Sequence, residues 1–295
     1  MNLMVGVMTY ERIGPAALDY MPCRYGSSKI LFRGPRRRLD RPYIAFLGGT
    51  ETYGKFLAEP YPALVEAGLG RVCVNLGAVN AGADIYLNDP ALLEVIAGAE
   101  AVVIQVMGAQ NISNRYYAVH PRRNDRFLQA SEVMKAVFRD VDFTEFHFTR
   151  HMLQALRELS ADRFAIVETE LKAAWIARMG QLIDAARGPV LMHWFAPRRM
   201  AEDGARDLAD PAQSEPLFVD PAMLKVLGPK LAGLVTTVPS DAALRAGAEG
   251  MIFSQMEAPV ARTQMGVMAH QEAADQLIAA LAALLPKHRS TGTAR

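Results

Sequence analysis

The chain has 295 residues, 51% of them hydrophobic and 21% charged, with a formal net charge of +1. These values describe an ordinary soluble globular protein with ample material for a core. So neutral a balance gives no broad field for nucleic acid or an anionic membrane, and neither is expected as a partner. One α/β domain with elaborations fits the length better than two. The two cysteines, Cys23 and Cys73, stand in no metal-ligand spacing and suit a reduced, cytoplasmic setting. The first twelve residues hold a short apolar run without a basic lead or cleavage site, so neither a signal peptide nor a membrane span is expected.

Residues 9–41 carry glycine, proline and Arg33, Arg36, Arg37, Arg38 and Arg41. No period runs through residues 33–41, which predicts an arm (residues 1–41) packed across a single domain of residues 42–286. Its arginines suit an anion through bidentate hydrogen bonds, or a loop with local salt bridges, the plainer of the two. Residues 43–47, Y-I-A-F-L, form an apolar run opened by Pro42 and closed by Gly48 and Gly49. That pattern predicts a buried parallel strand ending in a tight loop. Thr50, Glu51 and Thr52 then suit a helix start. Together they put a hydroxyl at the carboxyl end of a strand, where ligands bind in open α/β sheets.

Pro60 and Pro62 leave a short helix through Glu66. Residues 71–75 read as a second strand, Asn88-Asp89-Pro90 as the start of a helix ending at Gly98, and residues 101–107 as a third strand. The polar, aromatic and basic residues 113–126 leave the same sheet edge. There Arg115, His120, Arg122 and Arg123 either bind a negatively charged group together or belong to a packed loop whose arginines meet acids such as Asp125. Residues 126–140 predict an amphipathic helix with Phe127, Ala130, Val133, Met134 and Val137 on one face. His147 and His151 are four apart but have no third ligand nearby, so packing roles and no metal site are expected. Residues 160–187 predict one or two long helices capped by Ser160. Residues 189–195 give a fourth strand with His193 near its active end, and residues 197–216 a flexible insertion. Asp220-Pro221 opens a helix, residues 234–238 form a fifth strand, residues 264–285 a closing helix, and residues 287–295 a disordered tail. Five strand signals alternating with helices predict a three-layer α/β/α fold with a five-stranded parallel sheet, flavodoxin-like in type.

Three loops carry a resemblance. Gly48-Gly49-Thr50-Glu51-Thr52-Tyr53-Gly54 resembles the first block of the SGNH (GDSL) hydrolases, G-D-S-x-T-x-G, with the family's serine falling on Thr50 and its aspartate on Gly49. The loop of residues 76–82 resembles the second block, and the oxyanion-hole glycine falls on Asn80. Gly108-Ala109-Gln110-Asn111 stands against G-x-N-D, placing the oxyanion asparagine on Gln110 and the aspartate on Asn111. The blocks keep their order, each follows a strand, and they span residues 41–115. The whole chain is also similar to an uncharacterised group of alphaproteobacterial SGNH-like proteins.

The family's D-x-x-H pair is missing from residues 251–271, where His270 is the one histidine. The resemblance implies an SGNH-like fold and an ester hydrolase or acyl/group transferase with Thr50 as nucleophile. His270, His193 or His120 would be the base, and Gly49, Asn80, Gln110 and Asn111 would hold substrate or oxyanion. It implies no cofactor, and a small-molecule or carbohydrate substrate of anionic type if the arginines take part. Two alternatives stand beside it. One is a catalytically inactive ligand-binding protein. The other is a sulfotransferase-type or other nucleotide-using transferase, although no P-loop sequence is present.

Overall fold

The structure, a computed structural model, describes residues 18–200 and 215–286. Five parallel strands form its centre: β1 (Tyr43–Leu47), β2 (Val72–Asn75), β3 (Ala101–Gln105), β6 (Val190–Phe195) and β7 (Gly233–Thr237), in the order β2-β1-β3-β6-β7. Counting only sheet strands, this is the 2-1-3-4-5 doubly wound order, which reverses between β1 and β3. The fold is therefore the three-layer α/β type expected from the alternating signals.

The apolar runs of β1, β3 and β6 lack a polar alternation because both faces of these strands are covered, whereas the edge strand β7 alternates and leaves Leu234 exposed. Tyr43, Ala45 and Leu47 of β1 join one core cluster with Leu92, Val95, Leu171 and Trp175. Ile44 and Phe46 join the other with Tyr61, Val65, Leu277 and Leu281. The first face is covered by α4 (Pro90–Ala97), started by Asp89, whose side chain accepts from Ala91 N, and by α7 (Ala161–Asp184), started by Ser160, which accepts from Arg163 N. The second is covered by α2 (Tyr61–Leu69), with Pro62 in its first turn, and by the closing helix Val267–Leu284.

One expected element is corrected. Residues 126–140 do not form a single helix. Strand β5 (Arg123–Ala130) pairs antiparallel with β4 (Tyr117–His120), and helix α5 (Glu132–Val137) begins only after Ser131, its cap. Asn124, Phe127 and Ala130 turn inward while Leu128 and Val133 stay exposed. The segment R-N-D-R-F-L-Q-A contains no β-branched residue, so only its pairing with residues 117–120 makes it a strand. His147 precedes, and His151 lies within, helix α6 (Thr149–Leu159), so the pair does not share one helical stretch. The expected insertion lies mostly, and the expected tail wholly, outside the described residues. Among the described residues, no helix is long and apolar enough to cross a membrane.

The segment before β1 is tied down by buried contacts. Tyr25, Ile30 and Phe32 enter the first core cluster. Arg33 is buried without a carboxylate and donates to four carbonyls: Tyr53 O and Gly54 O at 3.4 and 2.5 Å, Leu57 O and Ala58 O at 2.5 and 2.7 Å. Two neighbours meet acids instead, Arg37 with Glu66 and Arg38 with Asp40.

The turn from β1 into α1 (Thr50–Tyr53) is held from below by Gln105, at the end of β3. Its buried Oε1 accepts from Gly49 N at 3.0 Å, Thr52 N at 3.2 Å and Thr52 Oγ1 at 2.6 Å. Gly48 is required here, because a Cβ would lie 2.0 Å from Thr52 Oγ1 and 2.5 Å from Gln105 Oε1. Tyr86 braces the other side, its hydroxyl accepting from Gly48 N at 2.9 Å and lying 2.8 Å from Leu76 O. Replacing the amide by an apolar group of similar size would leave the buried N–H groups of Gly49 and Thr52 without an acceptor and the Thr52 hydroxyl with Tyr61 alone, 2.7 Å away. Gln105→Met is expected to cost about 3 kcal/mol, measured by urea unfolding. A cost below that of an ordinary conservative core substitution would contradict this account.

Candidate active site

A cavity of about 330 Å³ opens where the sheet order reverses, at the carboxyl ends of β1, β3 and β6. Thr50, Asn80, Gln110 and Asn111 share its wall with Gly49 and Gln105. Phe195, Met265 and Ala269 provide apolar surface. The loop ahead of the closing helix contributes Arg262, Thr263 and Gln264, in the stretch where the D-x-x-H pair is missing.

Thr50 opens α1 and is half-buried. Its Oγ1 accepts from Asn80 N at 3.2 Å and donates to Asn80 Oδ1 at 3.3 Å. Asn80 has a φ of +55°. That is left-handed backbone, which favours glycine and which asparagine tolerates better than other residues. This conformation turns its N–H toward the hydroxyl. Asn80 Nδ2 donates on to Asp125 at 3.2 Å. Asn111 supports the same loop, with Nδ2 on Asn80 O at 2.9 Å and Oδ1 accepting from Thr149 at 2.8 Å. A Cβ at Gly49 would meet nothing within 4 Å.

Gln110 faces a different partner. Its Nε2 donates to Glu215 Oε1 at 3.1 Å, while its Oε1 is buried without a hydrogen bond among the described residues. Glu215 also pairs with Arg150, and its Oε2 accepts from Leu217 N at 3.2 Å. Glu51, next to Thr50, also lines the cavity and accepts from Gln105 Nε2 at 3.3 Å. Burial raises its carboxyl above the usual glutamate range, and the charge of Glu215 pushes it the same way, against the hydrogen bond from Gln105.

Neither His193 nor His270 is among the cavity-lining residues. Both lie in the layer beneath, packed around Tyr61 and Phe195, with no more than 1% of their surface exposed. Thr237 Oγ1 donates to Gln276 and lies 3.0 Å from His193 Nε2, so that nitrogen carries the proton. His270 Nδ1 accepts from Tyr61 N at 3.1 Å. Burial lowers both imidazoles to about 3. They are neutral packing groups, and the base expected from them has to be sought elsewhere.

The hairpin residues are also displaced from the cavity. His120 sits at the hairpin end, its Nδ1 accepting from Arg122 N, with Arg122 and Arg123 exposed beside it. Arg115 pairs with Glu170 at 2.6 Å over a separate shallow depression shared with Arg178. The hairpin acts on the cavity through other side chains. Asn124 Oδ1 accepts from Gly82 N and Ile85 N at 3.0 and 3.1 Å, and Asp125 meets Asn80. Glu51, Gln105, Arg150, Glu215 and Arg262 escaped the sequence reading. Glu51 alone had a signal, as the carboxylate inside the first glycine block.

Fold and cavity define a doubly wound α/β protein with a hydroxyl, a backbone N–H and side-chain amides gathered at its switch point. Residues 8–285 match the family described as a domain of unknown function (DUF6473), and the chain belongs to that family. No curated protein matches it. Among solved structures, it is similar to the lipase Lip_vut3 from a goat rumen metagenome, at 13% identity over 81% of this chain and 97% of that one, with a TM-score of 0.38. It is also similar to a family two carbohydrate esterase from Clostridium thermocellum in complex with cellohexaose, at 11% identity over 84% and 65% of the two chains, TM-score 0.40. A third is a mutant of Axe2, an acetyl-xylooligosaccharide esterase from Geobacillus, at 12% identity over 81% and 94%, TM-score 0.40. Likeness of this extent leaves activity to be argued from this chain's own residues.

The two histidines set a pH dependence of stability. Each is about 3 in the fold and near 6.5 when unfolded, so the unfolded chain binds more protons between those values. Stability is therefore full above about pH 6.5 and is lost as pH falls, by about 2 kcal/mol per histidine at pH 5. Unfolding measured from pH 7.5 to 5 should show this slope, reduced in a His270→Gln variant. A flat profile in the parent protein would exclude buried neutral imidazoles.

Proposed function

We propose that the protein is an SGNH-like ester hydrolase or acyl transferase, with Thr50 as nucleophile. The observation that carries this reading is the Thr50 hydroxyl, 3.2 Å from Asn80 N–H on the wall of an open cavity at the switch point. A carbonyl carbon attacked by Thr50 would bring its oxygen near that N–H, which then stabilises the developing oxyanion. Asn111 acts by holding the Asn80 loop. Gln110 serves as a second donor only if its amide leaves Glu215. The domain boundaries that go with this reading are an arm of residues 1–41 and one catalytic domain of residues 42–286.

The substrate is a small molecule or carbohydrate ester with an anionic group. Arg262 is an exposed cavity-lining cation without an ion pair among the described residues, and Arg150 lies on the same wall. These take the place given in sequence to Arg115, Arg122 and Arg123. A second reading, a catalytically inactive binding protein, is favoured by one observation: among the described residues, no imidazole lines the cavity. The ligand would then contact the same Thr50, Asn80 and Arg262.

Two experiments separate these readings. Turnover of p-nitrophenyl acetate by the full chain should disappear in Thr50→Ala and persist or rise in Thr50→Ser, which restores an unbranched hydroxyl. Equal turnover in all three proteins excludes the nucleophile, and no turnover in any favours the binder. Arg262→Ala should raise KM about tenfold for an ester bearing a carboxylate, the effect of a charge-assisted contact of about 1.4 kcal/mol. It should leave KM for a neutral ester unchanged. Equal effects on both esters would remove Arg262 from anion recognition.

A further inference from the structure

The cavity-lining residues include four ionisable side chains among the described residues: Glu51, Arg150, Glu215 and Arg262. A guanidinium carries donors and no acceptor, so neither arginine suits the part of a base. Glu215 pairs with Arg150 and is further occupied by Gln110 and Leu217 N. Glu51 has no cationic partner among the described residues. Its side-chain hydrogen bond among the described residues comes from the neutral amide of Gln105, which holds it at 3.3 Å on the face of α1 that borders the cavity. It follows Thr50 directly in the same helical turn.

We propose that Glu51 is the general base of this site, in place of the histidine missing from the loop before the closing helix. The inference rests on the ester-hydrolase reading of Thr50. In the first step the Thr50 oxygen bonds to the ester carbonyl carbon while its proton passes to Glu51, directly or through one water. The carbon–alkoxy bond then breaks, and Glu51 returns the proton to the departing alkoxide, releasing an alcohol. In the second step a water attacks the acyl carbon and gives a proton to Glu51. The bond to Thr50 breaks, the carboxylic acid leaves, and the proton returns to the Thr50 oxygen. No redox partner or metal is needed for this balance.

Burial and the facing charge of Glu215 both raise the Glu51 carboxyl, the former more strongly, while Gln105 lowers it. Arg150 and Arg262 are the other charges on the cavity wall. A carboxyl raised in this way exchanges a proton closer to neutral pH than an ordinary glutamate does. As a base it works deprotonated, so turnover falls as pH drops through its raised value.

The test is the pH profile of p-nitrophenyl acetate hydrolysis by the full chain, its Glu51→Gln and Glu51→Asp variants, and Thr50→Ala. A carboxylate titration by difference infrared spectroscopy runs beside it. Glu51→Gln should lower kcat at least a hundredfold and abolish the acid limb, with KM little changed. Glu51→Asp should recover part of the rate with a shifted limb. The infrared titration should show one carboxyl protonating above the ordinary glutamate range, absent from Glu51→Gln. If Thr50→Ala is inactive while Glu51→Gln keeps the parent rate and limb, the hydrolase reading stands and the base assignment is overturned. If the parent protein turns over no ester, the hydrolase reading falls and the base role falls with it. The infrared band then shows separately whether Glu51 is the titrating group of the cavity.

Discussion

The active end of the sheet depends on one buried amide. Gln105 reaches from β3 across to the β1–α1 turn and gathers three donors onto a single oxygen. Without it the turn would expose backbone N–H groups to an apolar layer built from Tyr61, Phe195 and the closing helix. With it, the turn is fixed to the neighbouring strand, and Thr50 and Glu51 take their places on the cavity wall. Its second group, Nε2, holds Glu51, so the same side chain sets both the turn and the carboxyl beside it.

Above that layer, polar side chains face a ligand-sized space. Beneath it, Thr52, Tyr61, Thr237 and the Nε2 side of His193 have hydrogen-bond partners inside the protein, while His193 Nδ1 has none among the described residues. The two histidines there contribute shape and hydrogen bonds to the core. Proton exchange has therefore moved from the loop before the closing helix to the first turn after β1, within the proposed mechanism.

The sheet was legible because each strand is a short apolar run ending at glycine, proline or a polar turn, and in β1, β3 and β6 burial on both faces leaves no alternation to misread. The caps Asp89, Ser160 and Asp220 were legible because a short polar side chain before a helix has a local purpose. The hairpin of residues 117–130 was not. Its second strand has the spacing of an amphipathic helix, and its pairing within the hairpin, the bridge from Arg126 to Phe148 and the inward turn of Asn124 select the extended form. Of the candidate site, the placing of Thr50 and Asn80 on one cavity wall was legible, because both sit in turns that follow strands, and the left-handed backbone at Asn80 is one that asparagine tolerates. The site was illegible where roles depend on the third dimension. Nothing in the sequence tells that His193 and Gln105, on neighbouring strands of one sheet face, are respectively a packing group and a brace.

Arg33 adds a constraint of another kind. Its guanidinium is satisfied by the carbonyls of four residues between 53 and 58, immediately after the turn that carries Thr50. Carbonyls at fixed places along the chain act as a ruler. One inserted or deleted residue in this stretch would slide the acceptors off the guanidinium and leave a buried cation unsolvated. The loop after Thr50 is thus fixed in length, and any change in the width of the cavity falls to other parts of its lining, such as the chain around Leu244, Gly247 and Arg262.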